Sequence, residues 1–302
     1  PMKADLVGLS FCWKNHEAYY IPVKSPLGQN FVSLECVKEK IGLILADKTY
    51  KKIGQNIKYD ITVLENAGFK LKGVYFDTMV ASYCLKPEKR NHSLNSMAKE
   101  YLNYDCMPIT SVIGKGKNQL SFDLVDTDAA AVYAAEDADI TFILYKYLND
   151  QLDQFPDTKK LFETVEMPLV SCLAKMEKNG IALDVPLLKK MSLELNSRIE
   201  EISEEIYALA GEVFNIGSPK QLAEILFDKL GLEPVKFGKT CRSTDASVLD
   251  ELSGKHEIID LILEYRQFTK LQNTYVDKLG QLINPRTHGV HASFNQTGTV
   301  TG

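Results

Sequence analysis

Between Pro186 and Leu209 the apolar residues Leu188, Leu195, Ile199, Ile202, Ile206 and Leu209 recur at steps of seven, four and three. That spacing draws one apolar stripe along a long helix, and such a stripe needs a partner to bury it. A second stripe, Ile258, Leu261, Tyr265, Phe268, Tyr275, Leu279 and Leu282, follows from about Glu257 to Leu282. Two seamed helices separated by an insertion predict an antiparallel pair crowned by a tip at about residues 213–256. "LFETVEMPLVSCLAKMEKNG" before them also reads as a helix, stopped at Gly180. The second half of the chain is therefore expected to be mainly helical.

The first half has a different texture. "ADLVGLSFCW" and "AYYIPV" read as a strand pair, and "FVSLECVKEKIGLILAD" as one amphipathic helix. "YKKIGQNIKYDITVLENAG" reads as a short strand and then a helix carrying Asp60. "VYFDTMVASYCL" begins as a strand and becomes a helix that Pro87 ends. Interleaved strands and helices predict an α/β layer fold. The polar stretch "LNDQLDQFPDTKK" marks a boundary, giving domains at residues 1–155 and 156–302.

Composition excludes several classes. At 45% hydrophobic and 25% charged the chain is globular in character, and no apolar run approaches the roughly 20 residues of a membrane helix. The N-terminus lacks the pattern of a signal peptide. The six cysteines form no CxxC pair, which fits reduced thiols better than a disulfide framework or a zinc site. The net charge of −5 argues mildly against nucleic acid, although local basic patches can override it.

Chemistry concentrates in "VYAAEDADITFILYKYL", where Glu136, Asp137 and Asp139 crowd what reads as the start of an apolar helix. Asp60 stands near the start of another helix. Tyr133 and Asp137, at i and i+4, share a helix face. Carboxylates converging from different elements can hold hard divalent cations, and a nearby tyrosine hydroxyl can orient a water. Acids at helix starts are also favoured by the macrodipole alone. The residues by themselves favour that structural role.

"IGQNIKYDITVLENAGF", "VYFDTMVASYCL" and "YAAEDADIT" resemble the second and third motifs of the 3′→5′ proofreading exonuclease domain of bacterial family A DNA polymerases. "FNIGSPKQLAEILFDKLGL" and "LILEYRQFTKLQNTYVDKLGQLINPRTHGVHASFNQTGTVTG" resemble the thumb and the start of the palm of the same polymerases. The resemblance covers essentially the whole chain in the right order. It implies an RNase H-like, four-carboxylate (DEDD-type) exonuclease fold lacking its first strand, followed by the helical thumb. It also implies that Asp60 and Asp137 are metal ligands and that Tyr133 positions the attacking water. The implied cofactors are two divalent ions, Mg²⁺ or Mn²⁺, with Zn²⁺ as an alternative at one exonuclease position. The family's first motif, Asp-x-Glu, is not found. The chain is expected to begin just after it and to stop before the polymerase carboxylates, so that alone it has little nuclease activity.

Gln55, Asn56 and Tyr59 lie where the resemblance places contacts to the frayed primer end. Ser218 is an expected N-cap, Pro219 suits the first helical position, and Lys220 adds a charge to a turn that attracts phosphate. Arg266, Lys270 and Thr274 recur at i+4 on the face away from the seam, alongside the duplex in the implied fold. Lys236, Lys239 and Arg242 form a basic stretch, and Asn295 and Gln296 are expected at the primer backbone or minor groove. The implied partners are primer–template DNA, a single-stranded 3′ end and dNTPs, for a monomer working in the bacterial cytoplasm at the nucleoid, away from membranes. Two rivals are a polymerase whose exonuclease-like domain is an inactive DNA-binding platform, and an RNA-trimming exonuclease. The thumb-like pair argues against the second.

Overall fold

The computed structural model describes residues 1–236 and 242–299; Lys239 and Cys241 lie outside the described residues. The chain folds into two compact units. The first holds residues 1–180 together with the segment from His291 onward, and the second is Ile181–Val290.

In the first unit β1 (Gly8–Lys14) and β2 (Glu17–Pro22) form an antiparallel hairpin, with Leu9 opposite Ile21 and Phe11 opposite Tyr19. The face with Leu9 packs on α1 (Leu34–Lys40) and α2 (Gly42–Ala46) through Val37 and Leu45. The single helix expected over this stretch is broken at Ile41. Gly42, a poor helix former, follows the break directly. Next come β3 (Lys52–Gly54), α3 (Ile57–Asn66), β4 (Val74–Asp77) and α4 (Thr78–Leu85). β3 and β4 are parallel, ending with Gly54 opposite Asp77.

α5 (Leu94–Leu102) is capped by Ser93, whose hydroxyl accepts from the Ser96 amide, and a short turn, α6 (Thr110–Ile113), follows. The 27-residue α7 (Thr127–Asp153) then runs across the hairpin, α4 and α5. Its Leu144, Leu148 and Leu152 meet Phe76, Val80 and Met97 in the main core. Full burial of each such side chain stabilises by roughly 1.5–3 kcal/mol. Pro156 stands at the first position of α8 (Pro156–Leu161), where its missing N–H costs nothing. A π-helical turn, Phe162–Glu166, leads into α9 (Met167–Asn179). Both helices stay with the first unit.

The second unit opens on β5 (Ile181–Ala182), which pairs antiparallel with β6 (Gly289–Val290). α10 (Val185–Ala210) is capped by Asp184 and stops at Gly211, whose φ of 72° a side chain would strain. α11 (Pro219–Ala223), a π turn at Glu224–Lys229 and α12 (Ala246–Leu252) precede α13 (Glu257–Lys270), which continues through a second π turn, Leu271–Val276, into α14 (Asp277–Gln281). The described residues of 213–256 contribute to the core of this unit. Ile216, Leu222, Leu226, Leu249 and Leu252 are fully buried with Ile202, Ile206 and Ile258 in one core. Three ties link α10 to the later helices: Arg198 to Glu264, Asn196 to Gln272 at 2.6 Å, and Ser192 to Asp277 at 2.8 Å. No helix among the described residues is long and apolar enough to cross a membrane.

Candidate active site

The parallel strands β3 and β4 both end where a helix begins. Asn56, just ahead of α3, adopts a left-handed φ of 55°, which asparagine tolerates better than most residues. Its backbone N–H donates to Asp77 at 3.1 Å, and that of Ile57 donates at 2.8 Å. The same carboxylate caps α4 by accepting from Met79 and Val80. One buried acid thus satisfies the N-termini of two helices, where four N–H groups each would otherwise be orphaned. Burial raises the Asp77 pKa, and the four backbone donors oppose that rise.

Asp60 lies in the first turn of α3. Its side chain has a solvent-open face, yet it sits so deep among protein atoms that desolvation, aided by the Asp77 charge, pushes its carboxyl up to about 7.

The three acids of α7 divide sharply. The helix begins at Thr127, capped by Asp126, so these acids lie well past its first turn and the macrodipole does not account for them. Glu136 accepts from the Tyr104 hydroxyl at 2.7 Å and the Met107 amide at 2.8 Å, fastening the preceding loop. Asp139 accepts from the backbone of His16 at 2.7 Å and lies 3.1 Å from its ring, fastening the β1–β2 turn. Asp137 has no such tie to another element among the described residues; the Tyr133 hydroxyl, one helical turn before it, is the neighbour that lowers its pKa. Burial pushes Asp137 up to about 6, the Tyr133 hydrogen bond lowers it, and Glu136 raises it. Burial first, then Asp137, raises the Tyr133 phenol, which stays neutral at pH 7. The Tyr133 ring packs 6.1 Å from that of Phe122.

Asp60 and Asp137 bind a proton more tightly when folded than their ordinary value near 3.8 allows. Their stabilising contribution is complete below about pH 4 and lost as pH rises through about 6 and 7. Thermal denaturation should show Asp60→Asn and Asp137→Asn more stable than the parent at pH 8, the difference vanishing near pH 4. An unchanged profile in both variants would refute the shift.

Residues 1–153 match the profile of the 3′-5′ exonuclease family, and residues 185–302 that of DNA polymerase family A. The chain belongs to the 3′-5′ exonuclease family, and its second part matches DNA polymerase family A. It is 40% identical to DNA polymerase I of Pseudomonas aeruginosa, over 99% of this chain and 34% of that one. It is 41% identical to DNA polymerase I of Synechocystis, over 100% of this chain and 31% of that one. It spans about a third of the length of these relatives. Among solved structures it resembles the POL domain of Pol1 from M. smegmatis in complex with DNA primer-template and dNTP, with a TM-score of 0.79 and 27% identity, over 97% of this chain and 46% of that one.

The residues expected to touch nucleic acid fare unequally. Asn56 is half-buried, and Tyr59 is 45% exposed on the first turn of α3. Gln55 is committed elsewhere: its amide donates to the His92 carbonyl at 2.9 Å, and its oxygen accepts from Thr78. Ser218 caps α11, accepting from Gln221, and Lys220 is exposed beside it. Lys270 and Thr274 are exposed, whereas the half-buried Arg266 donates to the Thr244 carbonyl. Arg242 pairs with Asp228 through both terminal nitrogens. Asn295 is exposed and accepts from Thr297, while the Gln296 amide donates to the Glu166 carboxylate at 2.6 Å.

Asp60 and Asp137 supply the oxygen donors a hard divalent cation takes, and among the described residues no basic side chain shifts the pKa of either. Their oxygen donors suit such an ion, although neither carboxylate is among the charges that shift the other. Among the described residues no group of three His, Cys, Asp or Glu side chains gathers into a complete set. Sequence reasoning missed Asp77. The signal was present, an acid between a strand and a helix, but its second set of donors comes from another element.

Proposed function

We propose that this chain forms the 3′→5′ exonuclease domain, the thumb and the first palm residues of a family A DNA polymerase, which removes 3′-terminal nucleotides by phosphodiester hydrolysis in the service of template-directed synthesis. The observation that carries this is the split among the α7 acids. Glu136 and Asp139 are consumed by structural bonds, whereas Asp137, beside Tyr133, is tied to no other element among the described residues. The proposed division places exonuclease function in 1–155 and polymerase function in 156–302. The hairpin β1–β2, the parallel pair β3–β4 and the crossing α7 support an RNase H-like reading of the first part. The ties 192–277, 196–272 and 198–264, rising on one helix as they fall on the other, support an antiparallel thumb pair.

A divalent cation, Mg²⁺ or Mn²⁺, would be held by Asp60 and Asp137, and would supply a lowered water pKa and charge neutralisation at the phosphate. Tyr133 stays protonated, spends its proton on Asp137, and keeps an oxygen lone pair to orient the attacking water. Asn56 and Tyr59, on the turn before Asp60, hold the 3′-terminal nucleotide. Duplex DNA and dNTPs are the partners of a cytoplasmic, nucleoid-associated monomer. The inactive-platform alternative is disfavoured, because Asp60, Tyr133 and Asp137 all stand in their motifs.

The test uses a polypeptide in which this chain follows a strand bearing Asp-x-Glu. With Mg²⁺ or Mn²⁺ it should shorten a 5′-labelled single-stranded oligonucleotide stepwise from the 3′ end, and chelation should stop it. Tyr133→Phe should slow this roughly tenfold to a hundredfold, the usual cost of losing an orienting group. A folded polypeptide that leaves the oligonucleotide intact with either metal ends the proposal.

A further inference from the structure

Glu177 of α9 is a carboxylate 4% exposed, in the first unit but on neither exonuclease motif. It closes a ring of three partners. Lys58 Nζ donates to Glu177 Oε1 and to the Phe294 carbonyl, and the Phe294 N–H donates to the same Oε1 at 2.7 Å. Lys58 is itself only 12% exposed, so each charge depends on the other. The ring of His291 contacts the Glu177 carbonyl at 2.6 Å. Farther along, Gln296 holds Glu166 at 2.6 Å, and the Thr299 hydroxyl lies 3.0 Å from that of Tyr83. A second pair, Lys178 with Glu65, fastens the far end of α3 to α9.

Lys58 stands between Asn56 and Asp60 on the first turn of α3. Phe294 belongs in sequence to the match with DNA polymerase family A, at residues 185–302, yet it folds with the first unit. We infer that Glu177 is a positioning residue: through Lys58 it sets the turn that carries Asp60, and through Phe294 it makes that setting depend on the docked segment 291–299. Tension on that segment then reaches the nuclease residues directly. The part played by Asp60 rests on the function proposed above, whereas the mechanical coupling does not.

Removing one member leaves a buried charge alone, which is strongly destabilising, whereas replacing both by apolar residues of similar size is often tolerated. The test is therefore amide hydrogen exchange on the whole chain, comparing the parent with Glu177→Gln and with the double variant Lys58→Met/Glu177→Leu. In the double variant peptides covering 56–65 and 291–299 should both exchange about tenfold faster or more, and in step, while α5 keeps its protection. Glu177→Gln, if it folds, should loosen the same two regions. Faster exchange in 291–299 with 56–65 unchanged would overturn the coupling, as would no change in either. No nucleic acid is present, so failure here and failure of the nuclease reading are separate results.

Discussion

Asp137→Asn, in a polypeptide that supplies the Asp-x-Glu strand, should slow 3′-end degradation by about a thousandfold, and Asp60→Asn should do the same. The estimate follows from chemistry in which cation stabilisation of the reacting phosphate contributes several kcal/mol, each 1.36 kcal/mol being a factor of ten. Glu136→Gln and Asp139→Asn, one residue before and two after Asp137, should change the rate by less than about tenfold, since Glu136 serves a loop and Asp139 a hairpin turn. Single-turnover rates with labelled single-stranded DNA decide the matter. If all four substitutions cost the same, the cluster acts as a unit and there is no division of labour among its acids.

Asp77→Ala should be the most damaging single change to the fold outside the apolar core. Four backbone N–H groups lose their acceptor, two of them at the start of the helix that bears Asp60. With a lost N-cap costing about 1 kcal/mol and a buried unsatisfied donor about 1–3 kcal/mol, the total is roughly 3–5 kcal/mol. That is a large part of the 5–15 kcal/mol a domain typically has. Asp77→Asn, which keeps one acceptor oxygen, should lose about half as much. Urea titration monitored by circular dichroism measures both. A loss under 1 kcal/mol for Asp77→Ala would mean that water replaces the carboxylate at both helix ends.

Local features were legible in the sequence. Seam spacing announced the long helices, and strand-to-helix switches announced β3–α3 and β4–α4. The resemblance of "IKYD" and "YAAEDAD" singled out Asp60, Tyr133 and Asp137. The start of α7 is also written there, in the cap Asp126 and the alanine run 129–131 of high helix propensity, five residues before the stretch whose acids stand out. What could not be read were consequences of strand register and chain return. Asp77 meets Asn56 only because β3 and β4 are parallel with Gly54 opposite Asp77. Lys58 meets Phe294 across most of the chain's length, and no local pattern encodes that pairing. The same holds for Gln296 and Arg266, polar residues whose sequence suggested a partner outside the protein and whose side chains are bonded within it.

The first unit is interrupted in sequence by the second, and this fixes an order in time. A ribosome delivers residues 1–180, then all of Ile181–Val290, and only afterwards the residues from His291 that close the ring around Glu177. At synthesis rates of about 5–20 residues per second, the nascent first unit waits roughly 5–20 s before the backbone of Phe294 can reach Glu177 and Lys58. The contacts of Lys58, on the turn that carries Asp60, are thus complete only after the helical unit has left the tunnel.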